Sequence, residues 1–214
     1  MNIFNKIAKF NRKLYIYYRR VVTNTYYKSL LVELGSKVII ESPLLMTCEH
    51  IKIGNGVYLW PNLRIEGVSD YLEQKFNPSI EIGNDVSIQQ NLHLTCAGQV
   101  IIKKGTAIAA NVTITDIIHP YLDIDTPPSK QYLEISNVTI GELCNIYNNS
   151  IILPGVTLGR NSIVSANSVV MSGVYPDYAV LAGAPAKIVK RYCVETRRWK
   201  KTNFDGTFLT QEDV

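Results

Sequence analysis

Branched aliphatic residues recur at every sixth position in the C-terminal half of the chain. The run is unbroken over six positions: Ile140, Ile146, Ile152, Leu158, Val164 and Val170. An amphipathic helix repeats its apolar positions every three or four residues and a half-buried strand every two, so neither explains this period. A period of six is typical of a β-helix, in which each hexapeptide forms one flat side and one turn of a three-sided coil.

The same register extends toward the N terminus with interruptions. Four further aliphatic triplets have the spacing: Leu34, Ile40 and Met46; Ile53, Leu59 and Ile65; Ile82, Ile88 and Leu94; Ile102, Ile108 and Ile114. The pattern therefore predicts about six coils within residues 34–192. It fails at residues 67–79 and 116–138, where we expect two loops to protrude from the coil. Loops on a rigid scaffold are common places for binding and chemistry.

Asparagine follows the middle aliphatic residue of five coils by three positions. The five residues are Asn62, Asn91, Asn111, Asn149 and Asn167. Asparagine tolerates left-handed turn conformations and its side chain bonds nearby backbone, although it is also simply common in turns. The alignment predicts a structural column of asparagines at one corner of the coil.

Residues 1–33 differ from the rest of the chain in charge. The net charge of the whole chain is +4, yet seven basic residues and no acidic residue precede Glu33. The apolar residues of the first half follow helical spacing: Ile3, Ile7, Phe10 and Leu14. They predict an amphipathic helix, which either caps the open end of the coil or lets residues 1–32 contact an anionic membrane. One helix can do both, and no nucleic-acid module accompanies the charge.

Cysteine spacing and hydropathy suggest a cytoplasmic protein, with the inner face of the cytoplasmic membrane as the place of any peripheral contact. The cysteines stand far apart without CxxC spacing, which predicts neither a disulfide framework nor a zinc knuckle. Cys144 falls at an inward position of the repeat and is expected in the core. We find no signal-peptide pattern and no apolar run long enough to cross a bilayer. Residues 193–214 lose the period and are expected to form a short C-terminal tail.

Three sequence blocks carry a family resemblance. They are IAANVTITDIIHP at residues 108–120, VTIGELCNIYNNSIILPGVTLGRNSIVSANSVV at 138–170, and YAVLAGAPAKIVKRY at 178–192. The chain resembles the bacterial hexapeptide-repeat acyltransferases, closest in type to the sugar O-acetyltransferases of polysaccharide, O-antigen and colanic acid synthesis, with galactoside and maltose acetyltransferases as relatives. The resemblance implies an all-β fold, a left-handed parallel β-helix, and a homotrimer with its site between subunits. It also implies acetyl-CoA as co-substrate, a carbohydrate acceptor and no metal.

The resemblance assigns catalysis to the histidine at the start of the second loop. His119 matches the general base of the family, and imidazole is suited to take a proton from an acceptor hydroxyl near neutral pH. Transfer is then direct, because no suitably placed serine or cysteine nucleophile accompanies this histidine. Asp116 either orients the imidazole or bonds a turn amide, and both readings stay open.

Other roles are carried over position by position. Gln89 and Asn91 match places that hold the acceptor sugar in the family, and His93 on the same coil either lines the site or is structural. Asn91 also belongs to the predicted asparagine column. The coenzyme contacts that the resemblance implies are Asn148, Ala166, Ala184, Lys187, Lys190 and Arg191.

Three alternative functions remain in view. An N-acetyltransferase for an amino sugar or an antibiotic would use the same base. A non-catalytic trimeric scaffold is suggested because Asn145 replaces a tryptophan that is common in the family. A zinc lyase of the γ-carbonic anhydrase type needs three clustered imidazoles, whereas His50, His93 and His119 stand on separate coils.

Overall fold

The computed structural model describes residues 3–209 of the chain as a three-sided parallel coil preceded by a helix. Residues 1–2 and 210–214, the ends of the predicted helical segment and tail, lie outside the described residues. Helix α1 spans Ile3–Val22, a π-helical turn follows at Thr23–Tyr27, and α2 spans Lys28–Leu30. Short 3-10 turns occur at Cys48–His50 and Pro128–Lys130.

Each side of the coil is a sheet that takes one strand from each complete coil, and face 2 continues into two further antiparallel strands. Face 1 contains β1 (Glu33–Leu34), β4 (Ile51–Ile53), β9 (Ser79–Ile82), β12 (Gln99–Ile102), β17 (Val138–Ile140), β20 (Val156–Leu158) and β23 (Gly173–Tyr175). Face 2 contains β2 (Ile39–Ile40), β5 (Tyr58–Leu59), β10 (Ser87–Ile88), β13 (Ala107–Ile108), β18 (Asn145–Ile146), β21 (Ile163–Val164), β24 (Ala179–Gly183), β25 (Ala186–Cys193) and β26 (Arg198–Lys201). Face 3 contains β3 (Leu45–Met46), β6 (Arg64–Gly67), β11 (His93–Cys96), β14 (Thr113–Thr115), β19 (Ile151–Ile152) and β22 (Val169–Val170).

The period-six aliphatic residues stack in three columns inside the coil. On face 3, for example, Ile65, Leu94 and Ile114 are partners in consecutive strands and are fully buried. Within residues 3–209 the strands form six complete coils and the start of a seventh, so the predicted register is confirmed. Cys144 is buried among these residues, as its inward position predicted.

The predicted asparagine column is present at the corner between faces 2 and 3. All five asparagines adopt left-handed backbone conformations, with φ between 58° and 62°. The side chains of four of them bond in series: Asn91 Nδ2 donates to Asn111 Oδ1 at 2.9 Å, Asn111 to Asn149 at 3.1 Å, and Asn149 to Asn167 at 3.1 Å. Each asparagine in this series thus supplies the turn conformation and a bond to a neighbouring coil.

Both interruptions of the period leave the coil as structured loops. The loop at residues 67–79 contains the hairpin of β7 (Asp70–Tyr71) and β8 (Gln74–Lys75). The loop at residues 116–138 contains the antiparallel pair β15 (Ile117–Ile118) and β16 (Glu134–Ile135). Pairing within each loop holds its two ends together.

The two ends of the coil are covered differently. At the N-terminal end, Tyr27 and Leu31 are buried against the core, which favours a capping role for the segment after α1. Nowhere in residues 3–209 does a helix combine the length and apolar character needed to cross a bilayer. At the C-terminal end, β25 pairs antiparallel with both β24 and β26 and so extends face 2. Strand β26 lies in the short tail predicted at residues 193–214, whereas nearly all of β25 lies in the range predicted for the coil. Period six cannot reveal this hairpin, since its strands alternate with period two.

We expect the asparagine column to stabilise the coil measurably. Asn149→Ala removes two side-chain hydrogen bonds of the column and places an alanine at φ 60°, so the free energy of unfolding should fall by about 2–3 kcal/mol. Asn149→Gly keeps the backbone conformation accessible and should lose less. Denaturant unfolding at fixed protein concentration measures both.

Asn161→Gly is the matched control for this experiment. Asn161 has φ 55°, but its side chain makes no hydrogen bond to another described residue, so this change should leave stability nearly unaltered. Equal stability of Asn149→Ala and the wild type would show that the column is incidental.

Candidate active site

A cavity of about 410 Å³ lies on the outer surface of face 3. Its floor comes from consecutive coils and its wall from the two loops. The lining residues are Arg64, Glu66, Val68, Tyr71, His93, Thr95, Thr113, Thr115, Ile117, His119 and Leu133.

The floor of this cavity follows from strand alternation. Because Ile65, Leu94 and Ile114 point into the core, the residues on either side of each point outward. Register then aligns Arg64, His93 and Thr113 in one outward column. It aligns Glu66, Thr95 and Thr115 in a second outward column, in which Thr95 Oγ1 donates to Thr115 Oγ1 at 2.9 Å. A salt bridge between Arg64 and Glu66 joins the two columns.

The wall of the cavity is held together by bonds between the two loops. Gln74 Nε2 donates to the Leu133 carbonyl at 3.0 Å, and its Oε1 accepts from the Leu133 amide at 2.6 Å. Tyr71 Oη donates to the Ser129 carbonyl at 2.8 Å. Residues from distant parts of the chain therefore form one wall.

His119 stands at the mouth of the cavity, directly after β15. Its ring meets the Tyr71 ring edge to face, with centroids 5.6 Å apart and an interplanar angle of 77°. The imidazole is exposed, so a molecule in the cavity can reach it. Tyr71 from one loop thus packs against the histidine of the other.

Asp116 anchors the second loop at its root. Its buried carboxylate accepts from the amides of Ala97 at 2.8 Å and Gly98 at 2.9 Å. Burial and this carboxylate raise the pKa of the Cys96 thiol, which lies 3.3 Å from Asp116 Oδ2. Both carboxylate oxygens are therefore used by the turn at 97–98, which favours the turn-amide reading of Asp116 over direct contact with His119.

The residues predicted to hold the acceptor are divided between two faces. His93 lines the cavity with His119, but Gln89 lies in a separate groove of about 200 Å³ on face 2, together with Asn145, Tyr147 and Asn148. Asn91, at the corner between them, is bonded into the asparagine column. Within one chain, Gln89 and His119 are not brought together.

The predicted coenzyme residues other than Asn148 lie toward the C-terminal end of the coil. Ala166 is exposed at the corner before Asn167, and Ala184 is exposed in the turn between β24 and β25. Lys187 and Lys190 are exposed on β25, whereas the Arg191 guanidinium lies 6.0 Å from the centre of the Phe208 ring.

The C-terminal hairpin adds basic residues that sequence reasoning missed. Lys190 lies opposite Lys201, and Arg191 lies opposite Lys200. None of these four residues forms a salt bridge within the described part of the chain. Like charges directly opposite in a sheet are unfavourable, so the hairpin concentrates uncompensated positive charge.

No metal site accompanies the cavity. Among residues 3–209, no group of three or more histidine, cysteine, aspartate or glutamate side chains has the arrangement to hold a metal ion. His50, whose Nε2 lies 3.0 Å from Ser69 Oγ, does not line the cavity with the other two histidines.

Known proteins share the repeat and the fold. The model of the bacterial transferase hexapeptide family (six repeats) matches residues 137–172. The Escherichia coli protein named "Putative lipopolysaccharide biosynthesis O-acetyl transferase WbbJ" is 36% identical over 129 residues, covering 57% of this chain and 65% of that protein. Galactoside O-acetyltransferase of Escherichia coli is 30% identical over 115 residues, covering 54% of this chain and 55% of that protein. The chain thus spans less than two thirds of either relative.

Solved structures resemble the coil over most of its length. A galactoside acetyltransferase in complex with coenzyme A has a TM-score of 0.59 at 20% identity, covering 99% of this chain and 92% of that one. A mutant of the N-acyltransferase AntD from Bacillus cereus, in complex with dTDP and coenzyme A, has a TM-score of 0.62 at 18% identity, covering 78% of this chain and 88% of that one. These likenesses confirm the predicted left-handed parallel β-helix. With its stacked period-six coils, the family match at residues 137–172 and these relatives, the chain is similar to the bacterial hexapeptide-repeat transferases.

Proposed function

We propose that the protein is an acetyl-CoA-dependent O-acetyltransferase that acts on a sugar hydroxyl of a surface polysaccharide or its precursor. The observation that carries this proposal is His119, which is exposed at the mouth of a cavity with a polar floor and packs against the Tyr71 ring. The O-acetyltransferase relatives named above support the acetyl group and the oxygen acceptor. A floor of threonine, arginine, glutamate and histidine side chains offers the donors and acceptors that a sugar ring requires.

His119 acts as the general base in this proposal. The imidazole takes the proton of the acceptor hydroxyl while that oxygen forms a bond to the acetyl carbon of the thioester. The carbon–sulfur bond then breaks, and the sulfur leaves as the thiolate of coenzyme A, which takes up a proton. The acetyl ester and free coenzyme A are the products. Asp116 contributes by fixing the start of the His119 loop to the turn at residues 97–98 of the preceding coil.

The C-terminal hairpin is the proposed contact for the phosphates of the coenzyme. Lys190 and Lys201 face each other without an acidic partner in the described part of the chain. A ligand with several phosphate charges relieves the repulsion between such cations when it binds. Lys187 on β25 adds to the same charge.

The predicted acceptor residues are divided between faces 2 and 3, which supports a trimer in which neighbouring chains complete each site. The groove with Gln89 and Asn148 and the cavity with His93 and His119 flank the asparagine corner from different sides. A closed ring of three copies makes the same contact between unlike surfaces at each interface. We propose that the face-2 groove of one copy meets the face-3 cavity of the next.

His119→Ala should abolish most of the acetyl transfer. Loss of a general base typically lowers turnover by about 10²–10⁴-fold, and the KM for acetyl-CoA should change little because the imidazole does not hold the coenzyme. Release of free coenzyme A is measured with a panel of sugars, amino sugars and nucleotide sugars.

His50→Gln is the matched histidine control, because His50 bonds Ser69 and lies outside the cavity. Undiminished turnover of His119→Ala would contradict the mechanism. Transfer restricted to amino sugars would favour the N-acetyltransferase alternative, and absence of coenzyme A binding by the wild type would favour the scaffold.

Lys190→Gln combined with Lys201→Gln should weaken the binding of the coenzyme specifically. We expect the KM for acetyl-CoA to rise about tenfold or more with little change in kcat, since a tenfold change corresponds to about 1.4 kcal/mol of lost binding. The thermal stability of the ligand-free protein should not fall, because the change removes a repulsive pair. Lys103→Gln with Lys104→Gln on the side of face 1 is the control, and equal KM values for both pairs would exclude the hairpin from the coenzyme site.

Mixed trimers test whether neighbouring chains share a site. Gln89→Ala and His119→Ala should each be impaired, and co-refolding them in equal amounts should restore up to about a quarter of wild-type turnover, because some interfaces then combine two intact halves. A mixture of His93→Ala and His119→Ala should recover nothing, since both changes lie in one cavity. Full turnover of Gln89→Ala, or no gain on mixing, would contradict the shared site.

A further inference from the structure

Helix α1 is fixed to the first coil along one side only. Arg12 Nη2 donates to Glu41 Oε1 at 2.9 Å, and Arg19 Nη2 donates to the Glu41 carbonyl at 2.6 Å. Thr23 Oγ1, just beyond the helix, accepts from the Ile40 amide at 3.0 Å. The desolvated Glu41 carboxylate has a lowered pKa despite its burial, because Arg12 and Tyr58 donate hydrogen bonds to it. These contacts define the inner side of α1.

The outer side of α1 is an exposed apolar stripe. Its members are spaced alternately four and three residues apart and each is 45–67% exposed. They are Ile3, Ile7, Phe10, Leu14, Tyr17 and Val21. With 3.6 residues per turn, this stripe lies roughly opposite Arg12 and Arg19, so it faces away from the coil. A helix of 20 residues carries it over about 30 Å.

A row of basic residues follows one edge of this stripe. Lys6, Lys13 and Arg20 are spaced seven residues apart, so they lie nearly in line along the helix. All three are exposed, and none forms a salt bridge with another described residue. No acidic residue precedes Glu33 in the sequence.

The charge pattern decides whether the apolar stripe contacts other copies of α1 or an anionic surface. The four-and-three spacing of the stripe also suits a helical bundle between copies of the chain. Such a bundle is stabilised when the residues that flank its apolar seam carry opposite charges. Here one flank of the seam carries Lys6, Lys13 and Arg20, and the other flank offers no acidic residue to pair with them. Copies of α1 would therefore bring uncompensated positive charges together, whereas an anionic surface neutralises them.

We propose that α1 is a peripheral membrane helix that lies on an anionic lipid surface. The apolar stripe enters the region between headgroups and acyl chains, while Lys6, Lys13 and Arg20 extend their amino and guanidinium groups to lipid phosphates. Arg12 and Arg19 on the inner side hold the coil to the helix. The apolar area and the basic row contribute separately, and only the second is weakened by salt.

Vesicle sedimentation with the full chain tests the proposal. The wild type should bind vesicles that contain phosphatidylglycerol and bind pure phosphatidylcholine vesicles far less. The triple change of Lys6, Lys13 and Arg20 to Gln should weaken binding to the anionic vesicles by about 100-fold, from about 1 kcal/mol per basic residue. Ile7→Glu with Leu14→Glu should abolish binding, and salt should weaken wild-type binding more than that of the triple variant.

Matched controls separate this surface from general charge and from assembly. Changing Lys103, Lys104 and Lys130 to Gln removes the same charge elsewhere on the exposed surface and should leave vesicle binding unchanged. Far-UV circular dichroism and light scattering report helix content and molecular mass for every variant. The proposal is overturned if the wild type ignores anionic vesicles, if both triple variants lose binding equally, or if Ile7→Glu with Leu14→Glu lowers the molecular mass, which would make the stripe an interface between copies.

Discussion

The stacking of aliphatic side chains from coil to coil is the constraint on which the rest of this structure depends. Strands in neighbouring coils are separated by about 4.8 Å, so each buried side chain touches the equivalent one above and below it. Once Ile65, Leu94 and Ile114 occupy the interior, the outward residues on either side are placed without further choice. The column of Arg64, His93 and Thr113 is a consequence of that packing.

The candidate catalytic residue, His119, lies where a loop interrupts the period of six. A loop that leaves a regular coil can cover a face, but it needs fixed ends to hold a side chain in place. The second loop gains this from Asp116, whose carboxylate bonds two amides of the coil below, and from its own antiparallel pair of strands. Gln74 of the first loop then bonds Leu133 of the second. The position of His119 is thus set by bonds among segments that the sequence separates widely.

The difference between the short repeat of the coil and the long-range bonds of the loops explains what could be predicted from the sequence. The coil, its register and the asparagine column depend on a short period, which is visible in one chain. Gln89 and His93 stand four residues apart and read as one cluster, yet the left-handed turn at Asn91 sends them to different faces. The contact of Tyr71 with His119 and the bonds between Gln74 and Leu133 depend on how the two loops dock, which has no local signature in the sequence. The two readings of Asp116 could be separated only by the positions of the 97–98 amides.

Two ion pairs lie on the faces of the coil, whereas each end carries a group of basic residues that form no salt bridge with a described residue. Lys52 pairs with Glu81, and Arg64 with Glu66, within adjacent or single strands. At the C-terminal end Lys190 instead faces Lys201, and at the N-terminal end a basic row borders an exposed apolar stripe. Folding gains nothing from either arrangement, since like charges repel and exposed apolar area is unfavourable in water. Features that lower stability persist where binding compensates for them. The two ends of the coil differ in the kind of anionic partner that each is suited to bind. The hairpin lacks a long apolar stripe and suits a compact, multiply charged ligand, whereas the stripe of α1 needs an anionic surface with an apolar interior.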